Sequence, residues 1–156
     1  MGLSVADVMT ANPRFVSRLD AVPEAAKVMR EAGIGAVPVV EDSALVGIIT
    51  DRDIAVRVVA AGLDPTHTSV GEVASSDLHS AAPNESLEDA YVRMTTWRIR
   101  RLPVVEDNNR LVGMIAQADL VHALKDKKAG QLVDEISQPG EPAFREPSVG
   151  ILATQA

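Results

Sequence analysis

The sequence has no cysteine, which excludes a disulfide, a thiolate nucleophile and a cysteine-ligated zinc. Aromatic residues make up only 3% of the 156 residues, so the core has to be built from Val, Ala, Leu, Ile and Met. Positive charge is in deficit, with a formal net charge of -7. A general nucleic-acid surface needs a basic face to displace counterions, so neither DNA nor RNA is an expected partner; a small basic pocket is still compatible with the balance. No apolar run approaches the length of a bilayer span, and no membrane partner is expected. The opening MGLSVADVMTANPRF lacks a basic start followed by an apolar stretch, so no signal peptide is expected and a cytoplasmic protein is the default.

Several chemical signatures are also missing. There is no G-x-S-x-G, P-loop or G-x-G-x-x-G. His67, His79 and His122 are far apart and match no ligand spacing such as HxxxH. Asp51-x-Asp53 is a pair of carboxylates of the kind common at helix starts. Neither an enzyme, a metal centre nor a required cofactor is expected.

What is present is a repeat. Pro38-Val39-Val40-Glu41-Asp42 recurs 65 residues later as Pro103-Val104-Val105-Glu106-Asp107. Leu45-Val46-Gly47 recurs 66 residues later as Leu111-Val112-Gly113, one residue having been inserted in the turn between. The same shifts carry Val5 to Val70, Met29 to Met94, Ile34 to Ile99 and Asp53 to Asp119. This divides the chain into a first repeat at 3–62, a linker at 63–69, a second repeat at 70–127, and a C-terminal helix with a loose tail at 128–156.

Each repeat reads α-β-α-β-β-α, an α/β (α+β) chain. A helical turn (5–9, 70–74) and a short extended piece (15–16, 78–81) lead to an amphipathic helix (23–32, 87–97) with Ala25, Val28, Met29 and Ala32, or Leu87, Ala90, Tyr91 and Met94, on one face. Two Val/Ile-rich runs, 36–41 and 45–50, then 102–106 and 111–116, read as strands joined by tight turns. A last helix closes each repeat at 54–61 and 120–125, and another is expected over 129–136, with Leu132, Val133 and Ile136 as its apolar face. From Pro139 the proline-rich PGEPAFREPSVGILATQA has no period and reads as a loose or docking arm. About three strands cannot bury themselves, so the repeats should pack together.

Ile54, Val56, Val58 and Val59 do not keep to one stripe of their helix, and Leu120, Val121, Ala123 and Leu124 show the same more weakly. A second apolar face implies a second partner, most simply another copy of the chain, so a homodimer through the repeat helices is expected. Trp97 ends a helix and reads as a packing or interface residue.

A tandem of such units, each with an h-P-V-V strand followed by G-h-h-(T)-x-x-D, resembles a pair of CBS domains, or Bateman module, over roughly residues 3–126. TDRDI and AAGLDP are similar to the small stand-alone two-CBS type that includes hypoxic response protein. The resemblance implies two repeats packed through their sheets with pseudo-twofold symmetry and two clefts between them. It also implies adenosine-containing ligands in those clefts and a regulatory output through an effector protein the sequence does not name. AMP, ADP or ATP come first as ligands; S-adenosylmethionine and NAD(H) rank behind.

The stretch GIITDRDIAVRVV at 47–59 holds the matching residues. Thr50-x-x-Asp53 has the spacing of a capping box, as do Ser4-x-x-Asp7, Ser69-x-x-Glu72 and Ser86-x-x-Asp89. A helix start also suits a phosphate, and a carboxylate there can accept both ribose hydroxyls. The resemblance assigns Thr50 and Asp53 those ligand roles; capping and binding are compatible. It adds Arg52, Ile48 and, from the second repeat, Ile99, Arg100, Arg101 and Pro103 with backbone at Ser80 and Ala81; Ile48 and Ile99 would sandwich the adenine. Arg98, Arg100 and Arg101 can equally be read as solvated surface charges. The second cleft would take Asp119, Ala116, Ile34, Gly35 and Ala36; alanine in place of threonine and the lack of arginine predict weaker binding there.

Overall fold

The computed structural model describes residues 2–134, with side chains through 128. The first repeat begins with one helical turn, α1 (Val5–Val8), and two short strands, β1 (Thr10–Ala11) and β2 (Val16–Ser17). Helix α2 (Val22–Ala32) follows, with Pro23 in its first turn, where a missing N–H costs nothing. It ends on Gly33 at φ 65°, a left-handed cap that glycine adopts without penalty. Val22, Ala25 and Val28 form its buried face. Strands β3 (Ala36–Glu41) and β4 (Ala44–Thr50) make a hairpin whose turn residues Asp42 and Ser43 both take positive φ, matching the strand twist. Along β4, Leu45, Gly47 and Ile49 point inward while Val46, Ile48 and Thr50 are half-buried. Helix α3 (Asp51–Ile54) then runs into a π-helical turn, Ala55–Val59.

The second repeat has α4 (Val70–Val73), α5 (Leu87–Trp97), β5 (Arg101–Glu106), β6 (Arg110–Ala116) and α6 (Gln117–Asp134). The extended piece expected at 78–81 forms no strand; only Ala81 pairs, in a parallel bridge with Val104. The two helices expected at 120–125 and 129–136 are a single helix, α6, which continues through Gly130 to Asp134. Ile136 and the arm from Pro139 lie outside the described residues.

Strand β3 lies between β2, parallel, and β4, antiparallel; β6 lies between β1 and β5, both antiparallel. The halves join at Ala44 opposite Arg110, where the Asn109 amide donates to the Leu45 carbonyl at 2.7 Å.

The repeats exchange their N-terminal segments. Val5 belongs to the second core, with Leu87, Met94, Leu102, Ile115 and Leu120; Val70 and Val73 belong to the first, with Val37, Val39, Ile49 and Val58. Burying each such side chain stabilises by roughly 1.5–3 kcal/mol. Backbone bonds fix the exchange: Val5 N donates to Glu85 O at 2.8 Å, and Val70 N to Asp20 O at 2.7 Å. β1 pairs with β6, and Ser75 exchanges two backbone bonds with Ile48 of β4. This explains the glycine in each Leu-Val-Gly. A Cβ on Gly47 would lie 3.0 Å from the Ser75 carbonyl, and one on Gly113 would run into Met9. Residues Met1–Leu124 accordingly form one compact unit.

Several carboxylates accept backbone N–H groups at turns and helix starts. The Ser4 amide donates to Asp7 and the Ser69 amide to Glu72, both at 2.7 Å, and these bonds hold the Asp7 and Glu72 carboxyls below their ordinary values. Bonds from the Thr66 hydroxyl, His67 and the Thr66 amide hold Asp64 down to about 2. A carboxyl lowered in the folded state favours folding above its ordinary pKa, and that contribution is lost as pH falls through the folded value. The melting temperature should therefore decline as pH drops below about 4.5 and go on declining toward 2. Asp64→Asn should flatten the lowest part of that curve in a calorimetric pH series; an unchanged curve would contradict the assignment.

Candidate functional site

The strand-to-helix junctions of both repeats open into one cleft of about 790 Å³, inside the usual range of small-molecule sites. Thr50, Asp51, Arg52 and Asp53 line it from the first junction, with Ile48 from β4. Ala116, Gln117 and Ala118 line it from the second. The turn after α2 contributes Gly35 and Ala36; the turn after α5 contributes Arg98, Ile99, Arg100 and Arg101.

Thr50 and Asp53 form the reciprocal capping box. The Asp53 amide donates to Thr50 Oγ1 at 3.0 Å, and the Thr50 amide donates to Asp53 Oδ2 at 2.9 Å. The hydroxyl accepts in this bond, so its proton stays available to a ligand. The other carboxylate oxygen, Oδ1, lies 3.9 Å from Arg57 Nε, and Arg57 Nη1 donates to the Val73 carbonyl at 3.0 Å. Asp53 is thus held from both sides, and Arg57 ties it to α4, the exchanged segment of the second repeat. Of the other predicted boxes, those at Ser4 and Ser69 are reciprocal, while at Ser86 only the hydroxyl caps, accepting from the Asp89 amide at 3.1 Å.

The two junctions are built alike and differ in charge. The Asp51 amide donates to Gly35 O at 2.9 Å; at the equivalent place the Gln117 amide donates to Arg100 O at 2.7 Å. Gly33 caps α2 in the left-handed region, and Arg98 caps α5 there at φ 55°. A side chain at such a backbone costs roughly 1–2 kcal/mol. The Asp51 carboxylate packs on Gly35, where an added Cβ would meet Oδ2 at 2.9 Å.

Seven of the ten residues expected in the first cleft come together: Ile48, Thr50, Arg52, Asp53, Ile99, Arg100 and Arg101. Three do not line it. Ala81 is drawn into the second core by its pairing with Val104, its neighbour Ser80 is half-buried away from the cleft, and Pro103 is buried in β5, its carbonyl taken by the Ala81 amide. The expected second cleft is not separate, because Gly35, Ala36 and Ala116 line the same cavity. Asp119 and Ile34 do not reach it; Asp119 is exposed, and Ile34 packs against the first core.

Asp51, Ser75, Asp77, His79, Arg98, Gln117 and Ala118 line the cleft as well. Asp77 and His79 lie in a segment without periodicity, so no pattern marks them. Arg98, Gln117 and Ala118 were findable by laying the two junctions over each other. The Trp97 ring stacks on that of His79 at a centroid distance of 4.1 Å and 27° between planes, and is 55% exposed.

Family comparison agrees with this geometry. The model of the CBS domain matches residues 5–60 and 70–126. The chain is 47% identical over 135 residues to CBS domain-containing protein YhcV of Bacillus subtilis, covering 86% of this chain and 95% of that one. It is 36% identical over 134 residues to hypoxic response protein 1 of Mycobacterium tuberculosis, covering 85% and 93%. The crystal structure of that protein, with two coordinated zinc ions, superposes with a TM-score of 0.71 over 77% of this chain and 98% of the other. Among the described residues here, no three His, Asp or Glu side chains gather as a metal would need, so they do not fit a zinc centre. CBSX2 in complex with AMP superposes at 0.71 with 26% identity, over 81% and 99%. Protein MJ0100 in complex with 5′-methylthioadenosine and S-adenosyl-L-methionine superposes at 0.70, also with 26% identity, over 81% and 99%. Two matched domains, their exchanged segments and the shared cleft lead to one assignment: the chain belongs to the CBS-domain family and carries a tandem pair.

Proposed function

We propose that this CBS pair is a sensor of adenine nucleotides, AMP, ADP or ATP, bound in the cleft shared by the two repeats. The observation that carries the reading is the convergence of a carboxylate, a hydroxyl, two isoleucines and four arginines on one cavity. Asp53 would accept the ribose diol, Thr50 would donate to phosphate, Ile48 and Ile99 would enclose the base, and the arginines would neutralise the anion. The AMP of CBSX2 and the two adenosine compounds of MJ0100 support the adenosine half. S-adenosylmethionine ranks second because its sulfonium would face the arginines. The ligand would bridge the repeats and shift their packing, which an effector protein would read. A thermal-shift screen of AMP, ADP, ATP, NADH and S-adenosylmethionine tests the reading. A true ligand at 100 times its Kd should add about 2.7 kcal/mol of stability, lost in Asp53→Ala. No shift with any of them would remove it.

A second reading, a ligand-independent assembly module, has its own support. Val56, Val59 and Leu63 are exposed at 51%, 71% and 49% on and after the π-helical turn. The spread of apolar residues that predicts two helical faces is here a wider π turn, with Val58 alone buried. We assign this strip to a homodimer contact. Val59→Asp should convert a dimer to a monomer in sedimentation analysis; a wild-type chain that sediments as a monomer would contradict the assignment.

A further inference from the structure

The walls of the cleft are polarised by substitutions between the repeats. Where the first repeat has Gly33, Gly35 and Ala36, the second has Arg98, Arg100 and Arg101; where the first has Asp51, the second has the neutral Gln117. The three arginines and Gln117 all line the cleft, and Arg52 joins them from the first repeat. Elsewhere, Arg14, Arg18, Arg93 and Arg110 each pair with a glutamate. Among the described residues none of the four cleft arginines pairs with a carboxylate, although the chain as a whole carries a net charge of -7. Like charges gathered in a concavity repel one another, and Arg98 in addition holds a backbone conformation that its counterpart Gly33 adopts freely. Such a collection works against folding unless an anion joins it.

We propose that the arginine wall is a polyphosphate subsite. The ligand is then a nucleoside di- or triphosphate in preference to a monophosphate or a cationic thioether. The nucleoside part rests on the adenine-nucleotide reading; the anion part does not. One phosphate engages one or two guanidinium groups, whereas a chain of two or three phosphates spans the turn from Arg98 to Arg101 and reaches Arg52. The Asp51 and Asp53 carboxylates repel phosphate, which leaves Asp53 to the ribose and sends the phosphates to the opposite wall.

The test is calorimetric titration of the full chain with inorganic tripolyphosphate, AMP, ADP and ATP, with EDTA present so that the phosphates keep their full charge. Quenching of Trp97, the single tryptophan, is a second readout because its ring stacks on cleft-lining His79. ATP should bind at least about tenfold more tightly than AMP, and tripolyphosphate should compete with it. Arg98→Gly and Arg100→Gln should each weaken ATP and tripolyphosphate by about tenfold, with a smaller effect on AMP. Arg98→Gly should melt no lower than the parent, since glycine suits the left-handed cap, so loss of binding there is not loss of fold. Arg30→Gln, away from the cleft, should change nothing. Equal affinity for AMP and ATP, or arginine variants that bind tripolyphosphate as before, would overturn the subsite. Arginine-dependent tripolyphosphate binding, with AMP inert and ATP no tighter than tripolyphosphate, would keep the subsite and remove the nucleotide reading. Asp53-dependent AMP binding as tight as that of ATP would do the reverse.

Discussion

Asp53→Ala should lower adenine-nucleotide affinity by about a hundredfold. A carboxylate that accepts two hydroxyls makes two charge-assisted bonds, each worth roughly 1.5–3 kcal/mol in place. Competition within the protein trims the sum, since Oδ2 already accepts from the Thr50 amide and Oδ1 lies near Arg57. About 3 kcal/mol is a fair net loss, which corresponds to roughly two decades in Kd. The same substitution removes one half of a capping box, so the ligand-free protein should also lose about 1 kcal/mol of stability. Thr50→Ala separates the two effects. It removes the hydroxyl that caps the Asp53 amide, costing a similar amount of stability, but leaves the carboxylate for the ribose. Calorimetric titration of wild type, Asp53→Ala and Thr50→Ala should therefore show similar melting losses for the two variants and a far larger affinity loss for the first. Equal affinity losses would mean that Asp53 acts only through the cap.

Val5→Asp should bring the protein close to unfolding. Val5 is fully buried, and a carboxylate placed there has no partner. An unpaired buried charge costs several kcal/mol, on the order of 4, against a total of roughly 5–15 for a domain. Location matters more than size here. Val5 lies in the first repeat by sequence, yet it packs with Leu87, Met94 and Leu102 of the second. A milder variant, Val5→Ala, should therefore raise hydrogen exchange first in β5, β6 and α5. Val70→Ala should do the opposite and loosen β3 and β4, since Val70 sits in the first core. If each substitution loosened the repeat that contains it in sequence, the exchange of segments would be wrong.

That exchange was not legible in the sequence, for a simple reason. Val5 and Val70 are apolar whichever core receives them, so duplication marks both segments without saying where they dock. Only Gly47 and Gly113 hint at it, because a strand glycine marks close approach by another backbone or side chain, here Ser75 and Met9. The strands and the two long helices were legible because period and duplication agree. Helix α5 runs over the residues expected, and α2 starts one residue earlier, at Val22. The break expected before residue 129 had less behind it, since Lys-Asp-Lys-Lys is solvated in either arrangement and α6 continues through it. At the site, the motif gave the residue types at the first junction. It could not show that the two junctions merge into one cleft, or that Asp119 faces solvent while its counterpart Asp53 lines the cavity.

The most direct test of the shared crevice as a nucleotide site is a crystal structure of the full chain grown with ADP. The expected electron density has the adenosine between the repeats, its ribose hydroxyls on the Asp53 carboxylate and its phosphates turned toward Arg98, Arg100 and Arg101. Nucleotide bound anywhere else on the chain, or seated in the crevice with its ribose away from Asp53, would contradict it.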